Sequence, residues 1–263
     1  MALNLMMLGA IIVTILFYVF DIVSSVLWTP LLVFGFFAAI VLLWCIVGTF
    51  FTAFISMKKE YNTHSPFYRH FVNVIVESMG QFMRMKIHVT GKEILPDEKF
   101  LLVCNHKSFM DPLVTMGVLK KYNMSFVAKK QIFKVPVIRK LMHRCFCLCL
   151  DRRNLKEEAK TIFKAADIVK EQKASMGIYP EGTRNKGEGL LPFMAGSFKI
   201  AKRANCPIVV ATIKNTNLAA KNMPFKKTDV YLDFLQVLDK DFVKAHSTTE
   251  LSDAARKIIE GNI

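Results

Sequence analysis

The charged residues of this chain are segregated along the sequence. Residues 1–57 contain no Lys, Arg or Glu and a single Asp, Asp21. All 36 basic side chains therefore lie in residues 58–263, together with the other 20 acidic ones, for a net charge of +16. Hydrocarbon excludes charge, whereas the surface of a water-soluble fold does not. The chain is thus expected to join an apolar membrane segment to a basic globular part that faces an anionic partner.

Two apolar runs occupy the N-terminal segment. Residues 3–20 and residues 31–56 would form helices about 27 Å and about 39 Å long, against a hydrocarbon core of about 30 Å. Polar residues and a proline between Asp21 and Pro30 favour a turn. We therefore predict a two-helix membrane hairpin over residues 1–57. Two spans and a hairpin that lies within one leaflet both fit the sequence.

The charges beside the hairpin predict its orientation. Lys58 and Lys59 directly follow the second run, whereas residues 21–30 contain no basic residue. The positive-inside rule then places the rest of the chain in the cytoplasm. A cleaved signal peptide is the competing interpretation of the first run, but that run lacks a basic start and a small-x-small cleavage site.

The remainder of the chain divides into a connecting segment and a domain. Apolar residues recur at helical spacing between Ser65 and Met85, so residues 58–88 are predicted to contain an amphipathic connecting helix. Residues 89–263 alternate short apolar runs with longer amphipathic ones, and this predicts an α/β domain with a mostly parallel sheet flanked by helices. The predicted strands are 100–104, 125–128, 145–150, 176–179, 208–213 and 230–238, and the predicted helices are 112–121, 155–172, 195–204 and 249–260.

Three cysteines fall within one predicted strand. Cys145, Cys147 and Cys149 alternate with apolar residues, which places their small side chains on one face. A metal site is one interpretation, but sulfurs spread along a line do not enclose a tetrahedral ion. Core packing of reduced thiols is the favoured interpretation.

Polar side chains follow the predicted strand 100–104, in the sequence NHKSFMDP at residues 105–112. An Asp five residues after a His can hold one imidazole nitrogen and leave the other free to act as a base. A Ser-His-Asp triad through Ser108 is disfavoured because the chain has no Gly-x-Ser-x-Gly elbow. Asp111 as a simple helix cap remains the alternative to a catalytic pair with His106.

A second polar loop, YPEGTRNKG at residues 179–187, follows the predicted strand 176–179. Gly182 lets a ligand approach the backbone, Thr183 adds a hydroxyl, and Arg184 offers a planar fork that matches a phosphate. Lys186 adds a further positive charge. This loop is predicted to bind an anion, and a solvated turn is the alternative.

The two loops together resemble the PlsC-type glycerolipid acyltransferases, specifically 1-acyl-sn-glycerol-3-phosphate (lysophosphatidic acid) acyltransferases. Asn-His-x4-Asp at 105–111 and Pro-Glu-Gly-Thr-Arg at 180–184 carry the likeness. FVAKK at 126–130 with LDRR at 150–153 is similar to the family's second motif, and CPIVV at 206–210 to its fourth. The resemblance covers residues 89–216.

The resemblance implies a role for each matching residue. His106 takes the proton from the sn-2 hydroxyl of the lysolipid as that oxygen attacks an acyl thioester, and Asp111 orients the ring, without an acyl-enzyme. No metal or organic cofactor is implied. The implied glycerol- and phosphate-binding residues are Glu181, Gly182, Thr183 and Arg184, helped by Lys129 and Arg152.

The sequence departs from the family pattern at three places. Residues 136–139 and 145–147 lack glycines that are usual there, and residues 193–196 lack a usual lysine. These departures concern the shape of the acyl tunnel and the contacts of Lys129 and Arg152, and they leave the predicted base untouched.

The function implied is that of a membrane-bound acyltransferase that forms phosphatidic acid for phospholipid synthesis. The net positive charge suits lysophosphatidic acid, an anionic donor (acyl-CoA or acyl carrier protein) and anionic membrane lipid. Nucleic-acid binding is excluded, since such a protein would not begin with 57 residues almost free of charge. Two alternatives remain: the same fold acting on glycerol-3-phosphate or another lysolipid, and a non-catalytic, membrane-tethered binder of acidic lipid or acyl carrier protein.

Overall fold

The computed structural model describes residues 2–20, 22–23, 25–150, 154–223 and 225–263. Its helices are α1 (Ala2–Val19), α2 (Thr29–Ala53), α3 (Pro66–Phe82), α4 (Asp111–Val118), α5 (Pro136–Arg144), α6 (Leu155–Lys170), α7 (Lys199–Ala204), α8 (Thr216–Asn222), α9 (Lys240–Ala245) and α10 (Thr248–Glu260). Its strands are β1 (Met85–Thr90), β2 (Leu101–Cys104), β3 (Ser125–Lys129), β4 (Leu148–Leu150), β5 (Met176–Ile178), β6 (Ile208–Lys214) and β7 (Thr228–Leu238).

The described strands form one sheet in the order β1-β7-β6-β2-β5-β3-β4. Strands β2 to β6 run parallel to one another, and β7 lies antiparallel to β6 with β1 parallel to β7. The prediction of a mostly parallel sheet flanked by helices is confirmed. Because five strands end at the same edge, the loops that follow β2, β3, β5 and β6 meet there.

Alternate residues of the central strand β2 supply two separate cores. Leu101 and Val103 pack with side chains of α6, α7 and α10 on one face of the sheet. Leu102 and Cys104 pack with α4 and the partly buried Val72 of α3 on the other face. All four side chains are buried, as expected of a parallel strand covered on both faces.

Four helices and strands lie outside the predicted set: β1, α5, α8 and α9. Residues 85–90 form the edge strand β1, although residues 58–88 were expected to be helical; α3 ends at Phe82, and Arg84 turns the chain with a φ of 50°. Helix α5 covers residues 136–144, where Val137, Ile138, Leu141 and Met142 recur at helical spacing. The other predicted strands and helices agree with the structure to within a few residues, except at residues 145–150.

Cys145, Cys147 and Cys149 do not share one strand face, because β4 begins only at Leu148. Cys145 follows the last residue of α5, and Phe146 adopts a left-handed conformation with a φ of 64°. This conformation disfavours a bulky residue, and burial of the Phe146 ring in the core beside α6 offsets that cost. Cys145 and Cys147 are buried, as expected of core thiols, and burial raises the pKa of Cys147 to about 12.

The N-terminal helices α1 and α2 pack side by side and antiparallel. The rings of Phe17 and Phe36 meet edge to face at 4.9 Å, and the Tyr18 hydroxyl lies 2.9 Å from Thr29 Oγ1. Residues 26–53 form the one helical stretch among the described residues that is long and apolar enough to cross a membrane, with a mean hydropathy of 2.8. The apolar helix before it, α1, is shorter than that, so only one of the two helices of the predicted membrane hairpin has the length of a membrane span. Asp21 and Ser24 of the predicted turn lie outside the described residues.

Helix α3 joins this hairpin to the sheet. The Tyr68 hydroxyl donates to the Phe51 carbonyl at 2.9 Å, and the Phe71 ring covers Gly48, where a Cβ would lie 2.4 Å from it. On the other side of α3, the buried Arg69 donates to the carbonyls of Met124 and Cys145. Helix α3 therefore links the apolar segment to the residue before β3 and to the residue after α5.

Gly177 makes room for an aromatic residue next to the sheet edge. A Cβ at Gly177 of β5 would lie 2.2 Å from the ring of Phe126 on β3. We expect Gly177→Ala to lower the free energy of unfolding by about 1–3 kcal/mol through overpacking, measured by denaturant titration in detergent. Gly196→Ala is the control, because nothing lies within 4 Å of a Cβ there. Equal stability of the two variants would contradict this reading of the packing.

Candidate active site

The loop after β2 holds a histidine against a buried carboxylate. His106 Nδ1 lies 2.8 Å from Asp111 Oδ2. Asp111 opens α4 and is fully buried, while the His106 side chain is 17% exposed. No partner for His106 Nε2 is found among the described residues, so this nitrogen is the part of the ring open to a ligand.

Asp111 is surrounded by hydrogen-bond donors. The backbone N–H groups of Lys107 and Ser108 donate to Oδ2 at 2.7 and 2.8 Å, and the Thr216 hydroxyl donates to Oδ1 at 2.5 Å. A buried carboxylate needs such partners to remain ionised. With donors around both of its oxygens, Asp111 acts as an acceptor toward His106, which favours the tautomer with the proton on Nδ1 and a lone pair on Nε2.

A second buried carboxylate connects the two polar loops. Glu181 Oε1 accepts from the His106 backbone N–H at 2.7 Å, and Oε2 accepts from the Leu191 N–H at 3.0 Å. The Asn185 N–H donates to the His106 carbonyl at 2.7 Å. Because β2 and β5 are neighbours in the sheet, these bonds hold the loop at residues 179–187 beside the imidazole.

Exposed polar groups lie in the middle of that loop. Thr183 and Arg184 face solvent, and the Lys129 ammonium at the end of β3 donates to the Thr183 hydroxyl at 3.3 Å. No partner for the Arg184 guanidinium is found within the described part of the chain. Gly182 has a φ of 71°, and its N–H donates to the Tyr179 carbonyl at 2.9 Å within the turn.

An aromatic ring supports the imidazole from one side. Tyr179 stacks on His106 with ring centroids 4.4 Å apart, and Phe126 stacks on Tyr179 at 5.9 Å. Burial, with Asp111 nearby, raises the pKa of the Tyr179 hydroxyl well above its usual range, so the phenol stays neutral. Phe126, the last ring of this stack, occupies the space that a side chain at Gly177 would fill.

The structure brings most of the predicted site residues together at one edge of the sheet. His106 and Asp111 are in contact, Glu181 contacts the His106 backbone, and Lys129 contacts Thr183. Arg152, with Asp151 and Arg153, lies outside the described residues. Each carboxylate oxygen of Glu181 accepts from one backbone N–H group, and its predicted contact with the glycerol phosphate stays a prediction.

Comparison with known proteins identifies the family. Residues 86–214 match a family model described as Acyltransferase. A 1-acyl-sn-glycerol-3-phosphate acyltransferase from Borreliella burgdorferi is 30% identical over 185 residues, which cover 67% of this chain and 72% of that relative. The chain belongs to this acyltransferase family.

Other members of the acyltransferase family show the same relationship. The 1-acyl-sn-glycerol-3-phosphate acyltransferase of Salmonella typhimurium is 26% identical over 163 residues, covering 62% of this chain and 66% of that relative. The crystal structure of the acyltransferase PlsC from Thermotoga maritima has 21% sequence identity and a TM-score of 0.57, and it covers 82% of this chain and 93% of its own. That likeness confirms the fold.

Sequence reasoning missed two polar residues of this acyltransferase site. Thr216 begins α8, 105 residues after Asp111, and no local pattern marks it as a partner of that carboxylate. Asn105 stands next to His106, and its amide both donates to and accepts from the Ile213 backbone, at 2.9 and 2.8 Å. The signal for Asn105 was its place in the Asn-His-x4-Asp pattern, whereas Thr216 needed the three-dimensional fold.

Two buried threonines near the end of β6 allow a matched test of the Asp111 network. Thr216→Val removes a donor to a buried carboxylate, and we expect it to lower the free energy of unfolding by about 1–3 kcal/mol. Thr212 is equally buried, and its hydroxyl has no partner among the described residues. Thr212→Val is therefore expected to be neutral or stabilising in the same denaturant titration. The same loss in both variants would show that Thr216 contributes packing alone.

Proposed function

We propose that this protein transfers a fatty acyl group from an acyl thioester to the sn-2 hydroxyl of 1-acyl-sn-glycerol-3-phosphate, forming phosphatidic acid. The observation that carries this proposal is the His106–Asp111 pair at 2.8 Å with Nε2 unpartnered among the described residues, beside the loop of Arg184. The curated relatives are 1-acyl-sn-glycerol-3-phosphate acyltransferases, which supports the choice of substrate.

His106 is proposed to act as general base and then as general acid. Nε2 takes the proton of the sn-2 hydroxyl as its oxygen attacks the thioester carbonyl carbon. The tetrahedral intermediate collapses, the carbon–sulfur bond breaks, and the leaving thiolate takes the proton from the imidazolium. Asp111 stabilises the positive charge that the ring carries between the two transfers.

Transfer is proposed to occur directly, without an acyl-enzyme. Cys104 is the thiol beside this loop, and burial with Asp111 nearby raises its pKa well above the usual range, so it carries no nucleophilic thiolate. The Ser108 hydroxyl is buried and accepts from the Met110 N–H at 3.2 Å. Neither group contacts His106 Nε2.

The phosphate is proposed to bind at the exposed middle of the loop formed by residues 179–187. Arg184 supplies a bidentate fork, and Thr183 and Lys129 supply a hydroxyl and a second positive charge. Glu181 is proposed as a positioning residue that holds this loop against His106, since a carboxylate at the phosphate itself would repel it. Gly182 permits the turn, and Arg152 stays a proposed helper.

The apolar helix that spans residues 26–53 supports a membrane location, which suits a lysolipid acceptor. We propose that the catalytic domain lies on the cytoplasmic side, because Lys58 and Lys59 directly follow that helix. Acyl-CoA and acyl carrier protein are the proposed donors. Glycerol-3-phosphate or another lysolipid is the alternative acceptor, since the same base serves any hydroxyl.

Replacement of the proposed base gives the first test. We expect His106→Ala to lower the rate of thiol release and phosphatidic acid formation by about a hundredfold or more, with lysophosphatidic acid and either donor. His88→Ala is the matched control, because His88 also pairs with an aspartate, Asp229, at 2.7 Å on the exposed edge of the sheet. Full activity of His106→Ala would exclude the mechanism, and product only from another acceptor would change the substrate.

Replacement of Arg184 tests the phosphate contact. We expect Arg184→Ala to raise the KM for lysophosphatidic acid about tenfold to a hundredfold, with a smaller effect on kcat, since a charged hydrogen bond to substrate contributes about 1.5–3 kcal/mol. Arg184→Lys keeps the charge but loses the fork, so we expect an intermediate KM. An unchanged KM in Arg184→Ala would place the phosphate elsewhere.

A further inference from the structure

The segment between β3 and β4 combines exposed apolar and basic side chains. Residues 130–142 contain four basic residues and no acidic one. Ile132, Val135 and Ile138 are 46%, 48% and 42% exposed. Apolar side chains exposed among lysines and arginines are typical of a surface that lies in the interface of an anionic membrane.

An apolar stripe covers the start and part of the surface of α5. Ile138 and the half-buried Met142 stand one turn apart on the helix, and the exposed Val135 immediately precedes it with an extended backbone. These three residues make up the stripe. Leu141, on the neighbouring face of the helix, is buried. The exposed side chains of Val135 and Ile138 therefore contribute little to the core.

The position of α5 next to the hairpin indicates what covers this stripe. Helix α5 contacts α2 and α3, which are the apolar helix and the helix that packs on it. The Arg144 guanidinium donates to the Thr63 carbonyl at 2.8 Å and lies 4.3 Å from the Tyr61 ring centroid. Tyr61 in turn accepts from the Ser56 N–H, just after the end of α2. The stripe thus continues the surface at which the apolar segment leaves the membrane.

We propose that residues 130–142 form a second membrane contact, in which Ile132, Val135 and Ile138 enter the interface of an anionic bilayer and Lys134 and Arg139 bind its headgroups. Among the described residues, neither Lys134 nor Arg139 forms an ion pair within the chain. The segment directly follows Lys129, whose ammonium contacts Thr183. The contact therefore holds the mouth of the proposed phosphate site against the bilayer, where the acceptor diffuses.

Fluorescence of the full-length protein in vesicles tests this contact without reference to activity. The two native tryptophans are replaced by Trp28→Phe and Trp44→Phe, and Ile138→Trp adds a reporter on the stripe. Lys257→Trp is the control, because α10 packs on the sheet face opposite α3 and α4. Phosphatidylcholine vesicles with lipid brominated near the headgroup are used, with and without roughly a third of phosphatidylglycerol.

We expect brominated lipid to quench the Ile138→Trp reporter several-fold more than the Lys257→Trp control, and more strongly when phosphatidylglycerol is present. Lys134→Gln with Arg139→Gln should abolish that dependence on anionic lipid, whereas Lys244→Gln with Lys257→Gln, an equal change of charge, should leave it intact. Equal quenching of the two reporters would overturn the proposal. Quenching indifferent to phosphatidylglycerol would overturn the headgroup contact.

The enzymatic readout separates a lipid contact from a donor contact. If the segment binds the bilayer, the Lys134→Gln and Arg139→Gln variant raises the KM for lysophosphatidic acid in anionic vesicles and leaves the KM for the acyl donor unchanged. A change confined to the KM for acyl-CoA or acyl carrier protein would assign the segment to the donor and overturn the proposal. Loss of turnover in His106→Ala leaves the quenching result untouched, so the two proposals fail independently.

Discussion

The buried carboxylate of Asp111 is the interaction on which the site depends. A carboxylate removed from water must recover its lost hydration from nearby donors. Asp111 obtains them from the His106 ring, from the two backbone N–H groups that follow it, and from Thr216. These donors come from the ends of two adjacent parallel strands, β2 and β6. The sheet therefore fixes the position of the Asp111 carboxylate, and the carboxylate fixes the orientation of the His106 ring.

Every polar group of His106 except Nε2 has a hydrogen-bond partner among the described residues. Its backbone N–H donates to Glu181, its carbonyl accepts from Asn185, and Nδ1 faces Asp111. Tyr179 restricts rotation of the ring by stacking on it. Only Nε2 is left without a partner among the described residues. Such fixation lowers the entropy lost when a substrate hydroxyl is brought to the base, and this is how positioning contributes to rate.

The sequence was enough to predict the α/β sheet and the two polar loops, because strand alternation and five-residue spacing are local signals. It could not predict Thr216, since only the pairing of β2 with β6 brings α8 to Asp111. Phe146 was misread as part of a strand, because its left-handed backbone runs against the preference of its residue type. The contacts of Glu181 with the backbone of His106 and Leu191 were not predicted either, because they form only once the loops are folded together.

The arrangement of strands is compatible with the proposal that one edge of the sheet serves both the membrane and the chemistry. Strand β3 neighbours β5, so the chain that leaves Lys129 starts beside Thr183 and then runs as the exposed apolar and basic segment toward α5. Arg69 of α3 binds the Cys145 carbonyl just past the end of α5, and Arg144 binds the Thr63 carbonyl in the connection that follows α2. A lysolipid whose acyl chain stays in the bilayer presents its phosphate and sn-2 hydroxyl at headgroup depth. The proposed phosphate site, held at that depth, would let the hydroxyl reach His106 while the lipid remains in the membrane.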